Sequence, residues 1–119
     1  MPQPVVWFEI CGKDHKKTKE FYGNLFDWSY NDLEGTMPYS MVEAAAEKSI
    51  GGGLLATDGN FPTYLTFYVQ VDDLQKYLDK AIEMGGKTVC PPMPIPGIGS
   101  SATFADPDGN LVGLFKPGE

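Results

Sequence analysis

The chain carries one pattern twice, and that repeat limits the fold more than any single motif. Residues 5–11 (VVWFEIC) and 64–71 (YLTFYVQV) both read as strands, rich in β-branched and aromatic residues. An aspartate and a helical stretch follow each, and then three shorter strand-like segments. An offset of 59 residues carries Trp7 onto Thr66, Phe8 onto Phe67, Ile10 onto Val69 and Asp14 onto Asp73. Identity between the halves is low, but their faces and helix caps agree. Two copies of one βαβββ unit explain this, at about residues 4–58 and 63–117 of a single domain spanning 1–119. At 119 residues the chain is long enough for one core.

Alternation gives each leading strand two faces. In the first, Val6, Phe8 and Ile10 are wholly apolar, whereas Val5, Trp7, Glu9 and Cys11 are mixed. In the second, Leu65, Phe67, Val69 and Val71 oppose Tyr64, Thr66, Tyr68 and Gln70. The apolar faces are expected to meet helices. Asp14 caps a helix predicted over about residues 15–25, with Phe21 and Leu25 on its stripe and Tyr22 and Phe26 widening it. Asp72 or Asp73 caps a second helix at about 73–84, where Leu74, Leu78, Ala81 and Ile82 share one side and Gly85-Gly86 stops it.

Between these lie strand candidates Trp28–Leu33, Tyr39–Ala44 and Ile50–Thr57, with a turn at Glu34-Gly35-Thr36. Gly51-Gly52-Gly53 weakens the third as a strand, and stands either for a bulge at a bend or for the wall of a cavity. It is no phosphate-cradling loop, having neither GxxxxGK[ST] nor a helix after it. Thr57 to Pro62 is a turn-rich connector. Lys87–Cys90 is a short strand, and the prolines at 91, 92, 94 and 96 predict a semi-rigid loop presenting Met93, Ile95 and Ile98. The chain closes on FADPDGNLVGLF, a hairpin whose turn is built by Asp106-Pro107-Asp108-Gly109-Asn110.

A net charge of −7 and a pI near 4.5 argue against a nucleic-acid backbone as partner. No apolar run is long enough to span a bilayer, and the N-terminus shows no signal-peptide pattern, so a cytoplasmic protein is expected. Cys11 and Cys90 fit no disulfide scaffold or CxxC motif and are read as free and buried. His15, the one histidine, falls at a helix start and reads as a solvated first-turn residue rather than a ligand.

WFEI followed by FYGNLFDW, together with FADPDGNLVGLF at the far end, resembles the vicinal oxygen chelate superfamily of glyoxalases, bleomycin-resistance proteins and extradiol dioxygenases. The variant here looks most like small glyoxalase-like bacterial proteins of unassigned function. The resemblance covers nearly the whole chain. It implies an α+β fold in which two βαβββ units form an incomplete mixed β-barrel, with helices outside and a ligand cavity on the concave side. The mixed strand faces would line that cavity, giving Trp7, Glu9, Thr66, Tyr68, Leu111 and Gly113 as ligand-binding candidates. Tyr64 would join Trp7 and Tyr68 in stacking on a flat or cationic ligand. A homodimer is also implied.

Metal-dependent members of that superfamily ligate a divalent ion with His, Gln or Glu side chains from four strands. Those positions fall here on Trp7, Thr66, Gly113, and Gly53 or Leu54. None can ligate as the family does, and a two-histidine site needs a second histidine. The expectation is therefore no metal and no cofactor, and fold alone licenses no activity. Two readings stand open. One is a metal-free protein that binds a small molecule. The other is a lyase or isomerase acting on a small carbonyl or thiol adduct with Glu9 as general base. For Glu9 itself, a structural hydrogen bond competes with catalysis. A pairing module is a third reading.

Overall fold

The computed structural model describes residues 2–33 and 38–118; the turn expected at Glu34-Gly35-Thr36 lies outside the described residues. Ten elements follow in order: β1 Val5–Gly12, α1 His15–Phe26, β2 Tyr30–Leu33, β3 Tyr39–Val42, β4 Gly51–Ala56, β5 Tyr64–Gln70, α2 Leu74–Glu83, β6 Lys87–Ile95, β7 Gly99–Ala105 and β8 Leu111–Pro117. This is the βαβββ unit written twice. Residues Trp7–Leu65 form one compact unit; Thr66 onward, with the first residues up to Val6, form the other.

Both units have the same mixed topology. In the first the strands run β2-β3-β4-β1, with β1 parallel to β4 and the hairpin partners antiparallel. In the second they run β6-β7-β8-β5, with β5 parallel to β8. The helix between the first two strands of each unit is the crossover a parallel pairing requires. Both helices start on an aspartate whose side chain accepts an amide: Asp14 from Lys17 N and Asp73 from Lys76 N, each at 3.1 Å. The matched caps predicted from the repeat are thus present.

The core of the second unit is Val71, Leu74, Leu78, Ala102 and Leu114, with Val69, Tyr77 and Phe104 packed against it. In the first unit Phe8 of β1 meets Trp28 at 5.4 Å between ring centroids, and Tyr22 and Phe26 of α1 pack on the same indole. The closing turn is tied by Asp106. Its Oδ1 accepts from Asp108 N and Asn110 N, and its Oδ2 from Asn110 Nδ2. Those bonds, Asn110's foremost, hold the Asp106 carboxyl below its ordinary range. Gly109 takes φ +91°, which the turn needs and a side chain would resist.

Five expectations need correction. The prolines do not end β6 at Cys90: the strand runs on to Ile95. It can, because it is an edge strand paired only with β7, and its register shifts between Thr88 and Cys90 and again between Cys90 and Met93. The apolar face of β5 is not helix-covered throughout, since Leu65 is 72% and Phe67 42% exposed. Helix α2 is short and lies over β6, β7 and β8 instead. On α1 the stripe is shifted: Tyr22 turns inward, whereas Phe21 and Leu25 are about three-fifths exposed. Ile82 of α2 is likewise exposed. Finally, both cysteines are free, but only Cys11 is buried; Cys90 sits exposed on the edge strand.

The contrast within α2 gives a direct test of this packing. Leu78 is 1% exposed at the centre of the core, whereas Ile82 one turn later is half exposed. Leu78→Ala is expected to cost about 2–5 kcal/mol in urea unfolding, the range of buried leucine truncations. Ile82→Ala is expected to stay within about 1 kcal/mol. Equal losses at the two positions would mean that α2 presents a different face.

Candidate functional site

Glu9 lies at the middle of β1 on its mixed face and is only 7% exposed. Two phenols hold it. Tyr39 O–H donates to Oε2 at 2.8 Å and Tyr64 O–H donates to Oε1 at 2.5 Å. Trp7, two residues back on the same face, donates its indole N–H to the Tyr39 oxygen at 3.0 Å. Because indole N–H can only donate, the directions follow: Trp7 to Tyr39 to Glu9, with Tyr64 donating from the other side. A buried carboxylate is tolerable when hydrogen-bonded in this way, and the two phenols fix its plane. Chemically, the arrangement offers an oriented carboxylate beside aromatic surface.

The three glycines of β4 make this possible. A Cβ on Gly53 would overlap the Tyr39 hydroxyl and ring; one on Gly52 would overlap the Phe8 ring; one on Gly51 would press on the Val42 carbonyl and the Trp7 indole. The run is therefore a surface on which aromatic rings lie against bare backbone. Of the two readings open from the sequence, the bulge does not hold: β4 pairs with β1 without a break from Trp7↔Gly51 to Gly12↔Ala56.

In the second unit Tyr68 occupies the position of Glu9, and its ring covers Gly113 so closely that a Cβ there would overlap it. Tyr68 pairs with Gly113 across β5 and β8, as Glu9 pairs with Gly53 across β1 and β4. That equivalence settles the register: Gly53, not Leu54, is the counterpart of Gly113, and Leu54 is fully buried. Thr66 is buried and donates its hydroxyl to the Leu111 carbonyl at 2.7 Å. Of the six site residues expected, Trp7 and Glu9 thus join one network, Thr66 meets Leu111, and Tyr68 meets Gly113.

The four family metal positions can be tested for fit. Trp7 presents a donor already engaged, Gly53 and Gly113 have no side chain, and Thr66 spends its hydroxyl proton on a carbonyl. Among the described residues no three His, Cys, Asp or Glu side chains converge. The residues at these positions do not fit the family's divalent ion.

Sequence reasoning missed Tyr39. The signal available was the glycine run, which implies something bulky against it without naming what. It also misplaced His15, which is half-buried. Its Nε2 lies 2.9 Å from Ser40 Oγ. Ser40 donates in turn to Asp32, which also accepts from Lys19 Nζ at 2.8 Å. With the Ser40 proton committed to Asp32, Nε2 must carry the histidine proton. Nδ1 is then an unprotonated buried nitrogen with no partner among the described residues. Burial, with Lys19 acting in the same direction, holds the His15 pKa below its usual value, against opposing contributions from Asp32 and Asp14. Ser40 is wholly buried, so the cluster is structural rather than a nucleophile–base pair.

Two outcomes follow from this geometry. Gly53→Ala should destabilise by about 1–3 kcal/mol through overpacking, and by clearly less in a Tyr39→Ala background, as read by a double-mutant cycle; a cost independent of Tyr39 would sink the assignment. For His15, the folded protein binds fewer protons than the unfolded one just below pH about 6.5, so stability should fall as the pH drops from about 7.5 to about 5.5. His15→Gln should flatten that part of the stability curve. An unchanged slope would show that His15 is not responsible.

The chain is 31% identical over 116 residues to "Putative glyoxylase CFP32" of Mycobacterium tuberculosis, which covers 92% of this chain and 44% of that protein. It is 26% identical over 132 residues to "Anthracycline biosynthesis protein DnrV" of Streptomyces peucetius, covering 98% of this chain and 48% of that one. It therefore spans about half the length of the curated relatives it matches. Among solved structures, methylmalonyl-CoA epimerase from Mycobacterium tuberculosis superposes with a TM-score of 0.71 at 14% identity, over 97% of this chain and 88% of that one, a likeness of fold. With residues 5–114 matching its family pattern, the chain belongs to the Glyoxalase/Bleomycin resistance protein/Dioxygenase superfamily.

Proposed function

We propose that the protein binds a small organic molecule without a metal ion, using the mixed faces of its leading strands. The observation that carries this reading is the Glu9 carboxylate held by Tyr39 and Tyr64 beside Trp7. A carboxylate oriented by two phenols next to an indole suits a ligand with a hydrogen-bond donor or positive charge and a flat portion. By the internal repeat, Thr66, Tyr68, Leu111 and Gly113 form the equivalent binding surface of the second unit. The aromatic covering of Gly53 and Gly113 supports a pocket that recognises shape where metal-dependent relatives coordinate an ion.

A second reading is catalytic. A relative carries the name "Putative glyoxylase CFP32", and on this reading Glu9 would be the general base of a lyase or isomerase acting on a small carbonyl or thiol adduct. The proposed assembly is a homodimer and the proposed location the cytoplasm. No helix among the described residues is long and apolar enough to cross a membrane. The acidic charge, −7 overall, disfavours a nucleic-acid partner.

The readings separate on Glu9. A metabolite and amine-drug screen should raise the melting temperature and change Trp7 fluorescence, and Glu9→Gln should reduce both responses while retaining the fold. If no compound shifts either signal for a protein that sedimentation shows to be folded and dimeric, the binding proposal fails. A monomer at all concentrations would remove the proposed assembly. Turnover of a thiol or carbonyl adduct that is lost in Glu9→Gln would favour the enzyme over the carrier.

A further inference from the structure

The helix side of the second unit holds a cavity that the proposed binding site does not use. It measures about 390 Å³ and lies between the C-terminal half of α2 and the sheet. Val69, Val71 and Leu114 form its floor, Ala81 and Met84 its helix wall, and Phe104 an aromatic side. The register places it on the opposite face from the proposed site: Val69 pairs with Leu114, and the preceding pair, Tyr68 with Gly113, points the other way. The volume falls within the range of about 300–1,000 Å³ typical of small-molecule pockets.

The lining decides the chemistry of the occupant. Its charged groups lie at the rim and balance, one carboxylate from Asp106 and one ammonium from Lys80. Asp106 has both oxygens engaged by its own turn, through Asp108 and Asn110. Lys80 is solvent-exposed and makes no ion pair among the described residues. It also sits in the last turn of α2, where the helix dipole already favours its positive charge and would oppose an anion placed beside it. Neither group is thus committed to a charged ligand. An apolar lining of this kind favours an apolar occupant. Met84 is 70% exposed at the edge, and its unbranched thioether can close over a ring beside Phe104.

We propose that this cavity is a second binding site, for a small neutral aromatic molecule. The site is independent of the Glu9 network, so either proposal can fail alone. The test uses the whole chain with labelled methyl groups, toluene as the probe, and the Trp7 indole resonance as the internal reference. Toluene should shift the methyl signals of Val69, Val71, Ala81, Met84 and Leu114 saturably and leave Trp7 in place. Ala81→Leu, which fills the cavity from the helix side, should abolish the saturable shift. Should that variant not fold, Met84→Ala, at an exposed position, should weaken it instead. The proposal is overturned if no saturable shift occurs, or if neither variant changes it. It is equally overturned if benzoate or benzylamine binds more tightly than toluene, since the ligand class would then be charged. Shifts of the same methyls with protein concentration alone would assign the groove to a second copy of the chain and also overturn it.

Discussion

Rings laid against bare backbone are the constraint on which the rest of this structure depends. Phe8 over Gly52, Tyr39 over Gly53 and Tyr68 over Gly113 each occupy space that a methyl group would fill. Interiors packed to crystal-like density leave no slack for both. The two leading strands must therefore run beside glycine, and they do so as parallel neighbours, β1 with β4 and β5 with β8. With the hydroxyl end of Tyr39 over Gly53, its oxygen falls between the Trp7 indole and the Glu9 carboxylate. The packing constraint and the hydrogen-bond network are thus one arrangement seen from its apolar and polar sides.

The same glycines bear on function. In the superfamily's metal-dependent architecture, the strands' inward positions supply side chains that ligate an ion. Here Gly53 and Gly113 supply none, and aromatic rings stand over them. A tryptophan indole and a threonine hydroxyl hold the other two positions, each engaged in a bond to a neighbour. What is left at the centre of the first unit is a carboxylate oriented by phenols. That group can bind or accept a proton, which is why a carrier and a base-dependent enzyme share the same central residue.

The two units use their opposite faces differently. In the second, α2 buries Leu74 and Leu78 in the core, and its C-terminal half lines a cavity. In the first, α1 buries no residue fully and is fastened by polar bonds as much as by packing. Tyr30 donates to the Lys19 carbonyl, and His15, Ser40, Asp32 and Lys19 form a chain from the helix start to β3 and β2. A repeat in sequence has become two differently secured units.

Much of this was legible in the residues alone. Alternation, the paired aspartate caps and the turn chemistry of Asp106 to Asn110 are local, and local rules located both helices and the ordering of the strands. The same reasoning put Trp7 and Glu9 on one face, while the resemblance to the superfamily, not the pattern, implied which positions would ligate a metal. It could not supply what depends on neighbours distant in the chain. Tyr39 lies 30 residues from Glu9 and Tyr64 lies 55 away, and only the sheet register brings their hydroxyls to its two oxygens. Pairing on one side only let β6 continue through its prolines. Phe67 is partly exposed although its strand pattern says core, with α2 packed over β6, β7 and β8. Pattern fixes which face a side chain takes; what stands opposite that face is set by packing between segments far apart in sequence.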